Sequence, residues 1–283
     1  MSGAPPADID VTPDLVRQLL SEQHPEFAHL PLTEVAAGWD NIMFRLGPDL
    51  AIRIPRRKYF AHSIQKEQQL LPNLTLTLPT PIPVKNGEPS ETFPYAWSVV
   101  PWLPGEPADL APPHMSQAKI LAHFLQSLHQ PAPPNAPSSP FRGVPIAERC
   151  DYIHENISKI KQYIIPTHHQ ILRNALKAKP NQDPVLIHGD LHPQNILVQN
   201  REISAVIDWG DLCAGDPATD LAAFYMLFSE PSMIFYYTED ASLVSRAKGW
   251  ALFFACVLIT NGEIDNPRHV QIGLRTLQNL ALN

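Results

Sequence analysis

The chain has 283 residues, enough for one large domain or two lobes, and with 44% hydrophobic and 17% charged residues it is too apolar to be disordered. Its formal charge is −7 and no basic run exceeds Arg56-Arg57-Lys58, so it carries no footprint for a phosphate backbone and nucleic acid is excluded as an expected partner. The 31 prolines against 12 glycines predict rigid loops and short elements, with no collagen-like or linker-like period.

Residues 12–20, TPDLVRQLL, predict a short helix with Thr12 as N-cap and Pro13 in its first position. LTEVAAG, IMFRLG and LAIRIP follow, separated by GWDN and by Gly47-Pro48-Asp49, and predict three antiparallel strands. Asp40 and Asn41 suit the first of these turns. Residues 61–71 have helical spacing, with Ile64, Leu70 and Leu71 apolar and Pro72 ending the pattern. Two further strands are expected around Thr80 to Val84 and Ala96 to Val100. WLPGEPADLAPP then breaks regular structure, and Pro101, Pro104, Gly105 and Pro107 fit a constrained hinge.

MSQAKILAHFLQSLHQ predicts an amphipathic helix with Ile120, Leu121, Phe124, Leu125 and Leu128 on one face. Residues 131–140 read as a loop and 147–178 as mostly helical, with a break near Pro166. After LIHGDLHPQNILV, residues 186–198, at least three helices are expected near 218–229, 241–261 and 267–281. Strands first and helices later predict an α+β protein in two segregated lobes. Cys150, Cys213 and Cys256 lack CxxC spacing, so buried free thiols are expected rather than a disulfide or a zinc site. The polar, acidic start MSGAPPADID does not read as a signal peptide, and the longest apolar run, Trp250 to Ile259, is too short to span a bilayer. A soluble cytoplasmic protein with no membrane partner is the expectation, and nothing in the sequence sets an oligomeric state.

The chemistry concentrates between Asp190 and Asp208. ILV and ISAVI flank QNRE and predict a β-hairpin, with Asn195 at its entry and Asp208 at its exit, so both oxygens return to one end. A hard cation such as Mg²⁺ takes carboxylate and amide oxygens and completes its shell with water and phosphate. Asp190, a short loop away, is then available to accept a proton from an attacking hydroxyl. Such an arrangement suits phosphoryl transfer, in which protein groups position the nucleotide and the acceptor.

HGDLHPQN resembles the H-x-D-x-x-x-x-N catalytic loop of the kinase-like fold, and IDWGD stands where protein kinases carry Asp-Phe-Gly. The His-Gly-Asp form, followed by IDWGDLCAGDPATDLA, is similar to the aminoglycoside phosphotransferase family, and AIRIPRR also resembles macrolide phosphotransferases. The resemblance implies a bilobal protein-kinase-like fold: an N-lobe over 1–100 with an antiparallel sheet and one main helix, a hinge at 101–105, and a mainly helical C-lobe over 106–283 carrying the catalytic hairpin. It implies Mg²⁺ and a nucleotide donor, ATP or GTP, with a small hydroxyl-bearing acceptor. Asp190 becomes the catalytic base, with Asn195 and Asp208 as metal ligands. GWDNIMFRL covers the phosphates, and Arg53 stands where a lysine usually holds them, with Glu67 as the partner that orients it. The carbonyl of Pro101 and the amide of Leu103 meet the base edge, and Val100 walls the pocket.

Several residues carry alternatives. His188 is expected to hold the loop rather than act as a base, while His192 faces substrate or fills the loop with equal weight. Asp216 and Asp220 are expected in structural roles, the first capping a helix and the second bonding the catalytic-loop backbone, and Asp211 supports the site from behind. Glu230, Glu239, Asp240, Glu263 and Asp265 against Arg246 and Lys248 form either an acidic acceptor region or a solvated face. The aromatics Phe224, Tyr225, Phe228, Phe235, Tyr236, Tyr237, Phe253 and Phe254 are expected in the core rather than at a substrate wall, although Tyr236 and Tyr237 fall in an expected loop. Two rival functions remain at this point: a metal-dependent phosphoesterase, which would need a downstream Gly-Asn-His and a paired-His motif where only His269 follows Asp208, and a catalytically weak nucleotide-binding pseudokinase, motivated by Arg53.

Overall fold

The computed structural model describes residues 7–37 and 41–282, apart from the side chains of residues 36, 37, 59, 60 and 231. The expected turn residue Asp40 lies outside this range. Two compact units result: residues up to Leu74 with Pro79–Pro104, and Thr75–Leu78 with Gly105 onward.

The first unit opens with α1 (Pro13–Gln23), where Thr12 Oγ1 accepts from Leu15 N at 3.2 Å and the proline needs no hydrogen-bond partner. β1 (Leu32–Ala37), β2 (Asn41–Leu46) and β3 (Leu50–Pro55) form an antiparallel meander. α2 (Lys58–Leu70) follows, then β4 (Lys85–Gly87) and β5 (Trp97–Pro101), giving the sheet order β1-β2-β3-β5-β4. Strict alternation along β2 sends Ile42, Phe44 and Leu46 inward onto Ile52, Ile54, Phe93, Trp97 and Val99, and α1 adds Val16 and Leu19. Each such side chain removed from water contributes about 1.5–3 kcal/mol. The strand expected over Thr80 to Val84 does not form. Pro79, Pro81 and Pro83 have no N–H to donate to a ladder, so the chain reaches the sheet only at Val84, whose N donates to Val99 O at 2.8 Å.

The second unit begins with β6 (Glu106–Pro107) and α3 (Ala118–Leu128), followed by α4 (Cys150–Lys159) and α5 (Pro166–Lys177). On α3 the residues Leu121, Phe124, Leu125 and Leu128 are buried, whereas Ile120 is 42% exposed. At 100° per residue Ile120 falls roughly a quarter-turn from the centre of that face. The expected break near Pro166 is present, between the end of α4 and α5, which Pro166 opens.

β7 (Val185–Ile187), β8 (Ile196–Gln199), β9 (Glu202–Val206) and β10 (Cys213–Gly215) come next, with β6 pairing β8, β8 pairing β9 and β10 pairing β7. The β8–β9 turn is tighter than the expected QNRE loop. Gln199 pairs with Glu202, leaving Asn200 and Arg201 as a two-residue turn with φ of 53° and 64°.

The helix expected near 218–229 is two short pieces, α6 (Ala218–Leu221) and α7 (Ala223–Leu227). α8 (Ala241–Asp265) and α9 (Pro267–Ala281) complete the unit, and α8 packs against α4, α5, α6 and α9. By length and composition α8 is long and apolar enough to cross a membrane, yet 67% of its most apolar stretch is buried within the protein. That is the pattern of a core helix. Cys213 and Cys256 are buried free thiols, while Cys150, unlike the expectation, is partly exposed at the start of α4.

Candidate active site

The loop from His188 to Asn195 is built from its backbone outward. Gly189 adopts φ +86°, and a Cβ there would stand 2.7 Å from Asp211 O, so the position requires glycine. Asp220, wholly buried on α6, accepts from His188 N at 2.7 Å and Gly189 N at 2.9 Å, and a third donor, His129 Nε2, lies 3.1 Å away. Burial alone would raise its carboxyl. The hydrogen bond and charge of His129, the charge of His188 and the amide of Gly189 outweigh that and hold Asp220 below its ordinary value. His188 is also fully buried: Nε2 bonds Ile207 O at 2.9 Å, Nδ1 accepts from Asp190 N at 3.3 Å, and its ring lies 4.8 Å from that of Trp209. Both expected structural roles hold.

This backbone leaves the Asp190 side chain projecting and 24% exposed. Asn195, 6% exposed, donates Nδ2 to Asp190 O at 2.8 Å, which turns its Oδ1 away from the loop. His192 bonds its own loop through Gln194 N at 3.3 Å, and its Nε2 lies 3.5 Å from Asp190 Oδ2. Burial lowers its pKa against the opposing pull of Asp190 and Asp208, so the imidazole beside Asp190 is neutral at pH 7.

The hairpin returns Asp208 to the same end. Ile196 faces Val206, Ile207 N donates to Asn195 O at 2.9 Å, and Asp208 takes the left-handed conformation at φ 61°. The donor chemistry fits a hard cation: Asn195 and Asp208 offer oxygen only. Among the described residues no group of three or more His, Cys, Asp or Glu side chains surrounds one point. A cation here would need phosphate and water oxygens to complete its shell, which is the habit of Mg²⁺.

Arg142 is the site residue that the sequence reading missed. Its Nη2 lies 2.8 Å from Asp190 Oδ1 and its Nε donates to Asp211 Oδ2 at 3.0 Å. Burial would lower the guanidinium pKa, but the two carboxylates raise it beyond its ordinary value. Arg142 comes from the proline-rich loop before α4, stitched to β10 where Asp216 N donates to Gly143 O at 2.8 Å and Ser138 bridges Ala214. Gly143 and Gly215 touch backbone to backbone, and a Cβ on either would meet the other's Cα at 2.6 Å. Two glycines far apart in sequence were the available signal, and their contact exists only in the fold.

Asp216 does cap α6, accepting from Ala218 N at 3.0 Å, and it also holds Arg246 Nε at 2.6 Å in a buried pair. Arg246 is therefore engaged internally. Phe224, Tyr225, Phe228, Phe253 and Phe254 are core residues as expected, but Phe235 and Tyr236 are 55% and 46% exposed.

In the first unit Arg53 Nη2 lies 3.1 Å from Glu67 Oε1, with the two residues 5% and 3% exposed. This is a buried pair between β3 and α2, not a surface one. Gln68 fastens α2 beside it by donating to Trp97 O at 2.8 Å and Ser98 Oγ at 3.1 Å. Val100 is buried at the end of β5. Pro101 faces Leu50 while Trp102 N donates to Asp49 O at 2.8 Å, so Leu50 and Pro101 form a pair without mutual hydrogen bonds and the Pro101 carbonyl points away from β3. Leu103 follows in irregular chain, half-buried.

A profile of the phosphotransferase enzyme family matches residues 31–249. The chain belongs to this family. Among curated proteins it is 35% identical over 81 residues to viomycin phosphotransferase of Streptomyces vinaceus, covering 27% of this chain and 25% of that one. It is 38% identical over 58 residues to the uncharacterized protein YcbJ of Bacillus subtilis, covering 19% of each. The chain thus spans about a quarter or less of the curated relatives it matches.

Among solved structures, the GDP complex of wild-type aminoglycoside 2'-phosphotransferase-IIIa aligns with 95% of this chain and 98% of its own at TM-score 0.66 and 19% identity. The apoenzyme of a macrolide 2'-phosphotransferase from Brachybacterium faecium aligns over 93% and 97% at TM-score 0.59 and 20% identity. The fold of this phosphotransferase-family chain is therefore the bilobal kinase-like α+β fold that HGDLHPQN and IDWGD led us to expect.

Proposed function

We propose that the chain transfers the terminal phosphate of ATP or GTP to a hydroxyl of a small molecule. The observation that carries this is the Asp190 carboxylate, held out from a loop whose backbone is pinned by Asp220, beside Asn195 and Asp208 at one end of a hairpin. Asp190 accepts a hydrogen bond from the acceptor hydroxyl, orients its lone pair toward the phosphorus and takes its proton as the bond forms. Arg142 fixes the direction of that carboxylate. Asn195 and Asp208 would hold Mg²⁺, which offsets charge on the transferring phosphate when bound. Arg53, oriented by Glu67, contacts the donor phosphates in place of a lysine, and its planar head can do so in a fork.

The base edge of the nucleotide meets the Pro101 carbonyl and the Leu103 amide, with Val100 beneath. The outward direction of that carbonyl supports this assignment. In this reading residues 1–100 are the nucleotide lobe, 101–105 the hinge and 106–283 the catalytic and acceptor lobe, in a cytoplasmic protein. Aminoglycosides, macrolides and metabolic alcohols are the acceptor classes in view, the first two because the similar structures carry those names.

The test is donor consumption across a panel of hydroxyl acceptors, run beside Asp190→Ala. A fall in kcat of about a hundredfold or more is expected from loss of the base. Turnover unchanged by the substitution, or phosphate release from phosphate esters without nucleotide, overturns the reading.

A further inference from the structure

Arg149 stands at the start of α4 in an unusual setting. Its guanidinium carbon lies 5.5 Å from the ring centre of Phe141, 5.1 Å from Tyr152 and 5.2 Å from Phe253. No carboxylate of the described residues pairs with it, and its Nε is buried without a partner. Burial lowers its pKa below the ordinary guanidinium value and Arg142 adds to that, against an opposing pull from Tyr152. Arg142 and Arg246, by contrast, are matched, the first by Asp190 and Asp211 and the second by Asp216.

The cage is open. Phe141 is 53% and Tyr152 37% exposed and Arg149 itself is half-buried, so the cage stands at the surface. Rings satisfy the faces of a guanidinium through cation–π contact and leave its in-plane N–H donors, the fork that binds two oxygens of one oxyanion. The cage also continues to the catalytic loop. Phe253 packs on Phe254 with centres 5.5 Å apart, Arg142 lies 5.3 Å over Phe254, and Arg142 holds Asp190.

We infer that the acceptor carries an oxyanion, a carboxylate or a phosphate monoester, which Arg149 binds while the acceptor's hydroxyl meets Asp190. The inference rests on the reading of Asp190 as the base. A polycation is the wrong substrate for this cage, because it would bring positive charge to a guanidinium that no described carboxylate balances. The aromatic rim adds apolar contact to the carbon skeleton between hydroxyl and anion.

The test uses linear ω-hydroxyalkyl carboxylates, ω-hydroxyalkyl phosphates, diols and amino alcohols of graded chain length, with wild type, Arg149→Met, Arg149→Lys and Asp190→Asn. Wild type is expected to use an anionic member with higher kcat/KM than the diol or amino alcohol of equal length. Arg149→Met should cut that preference about ten- to a hundredfold, mostly through KM, and Arg149→Lys should restore part of it. The carboxylate and phosphate arms separate the two anion sources.

Better use of amino alcohols than of anionic alcohols, or an anion preference that survives in Arg149→Met, overturns the inference. Were no acceptor to consume nucleotide and Asp190→Asn to match wild type, the phosphotransferase reading itself would fail. Calorimetric titration of the hydroxyalkyl carboxylates and phosphates then still decides the anion site. Binding weakened by Arg149→Met supports it, and absent or unaltered binding sinks it.

Discussion

Removing the Asp220 carboxylate should damage stability and catalysis together. Asp220→Ala leaves three buried donors facing a void: the amides of His188 and Gly189 and the Nε2 of His129, now 2.7, 2.9 and 3.1 Å from its oxygens. An unsatisfied buried donor costs about 1–3 kcal/mol, and water entering the space recovers part of it, so a net loss of about 3–5 kcal/mol is expected. Against a total stability on the order of 5–15 kcal/mol this is large but survivable.

Asp220→Asn should fall between wild type and alanine, because its NH₂ must face a backbone donor. The loop carries Asp190, so kcat should drop about tenfold or more while nucleotide KM, which the proposed function assigns to Arg53 and the hinge, stays near wild type. Urea unfolding followed by fluorescence suits the measurement, since Trp209 is buried beside His188. The acid limb has a defined sign. A carboxyl held below its ordinary value contributes stability above about pH 4 and loses it as pH falls through the folded value, so wild type should lose more stability than Asp220→Ala on going to lower pH. A loss in Asp220→Ala below about 1 kcal/mol with kcat within about twofold would refute the reasoning, since three stranded donors cannot cost so little.

Arg142→Ala should lower kcat about tenfold with little change in nucleotide KM and should cost only about 1 kcal/mol of stability, because its pairs are partly exposed; Arg142→Lys should recover less than half the rate for lack of the two-sided fork. An unchanged kcat in steady-state assays counts against the clamp. His168 accepts from Ile165 N at 3.2 Å and bonds Leu277 O at 3.0 Å, and burial lowers its pKa. Its stabilising effect is therefore complete above about pH 6.5 and declines below it, so urea midpoints taken from about pH 7.5 down to about pH 5 should fall more steeply in wild type than in His168→Gln, and parallel slopes would contradict this.

What could be read in the sequence was local. Period-two alternation identified the meander because a half-buried strand must alternate, and Thr12-Pro13 identified α1 because both residues answer the needs of a helix start. The pair Arg53 and Glu67 was legible through motif order, yet its burial was not, since nothing in LAIRIP tells a buried arginine from a surface one. The strand expected at Thr80 to Val84 failed because alternating prolines mimic strand spacing while removing the donors a strand needs. QNRE located the hairpin turn but not its length, because the two-residue form needs Asn200 and Arg201 both at positive φ, which arginine does not advertise. Arg142 stayed hidden for a different reason: its placement depends on Gly143 meeting Gly215, and no spacing rule connects the two.

Charge counted along the sequence left one segment open between an acceptor region and a solvated face. The stretch from Glu230 to Asp265 sums to an acidic excess, yet its members do unlike things. Arg246 is tied to Asp216, Asp240 caps α8 through Ser242 N at 2.8 Å, and Glu230 bonds Ser232 Oγ at 2.9 Å. A carboxylate engaged in a cap or a turn still carries charge, but solvent screening leaves little of it for a distant ligand. Arg149 is the converse case: one cation in an unremarkable stretch of sequence, desolvated by aromatic rings and unmatched by any described carboxylate. Because interaction energy grows as screening falls, a partly desolvated guanidinium acts on a ligand more strongly than a fully exposed acid at the same distance. On the inference drawn from Arg149, acceptor charge is read from which ions lack partners rather than from the sum over a segment.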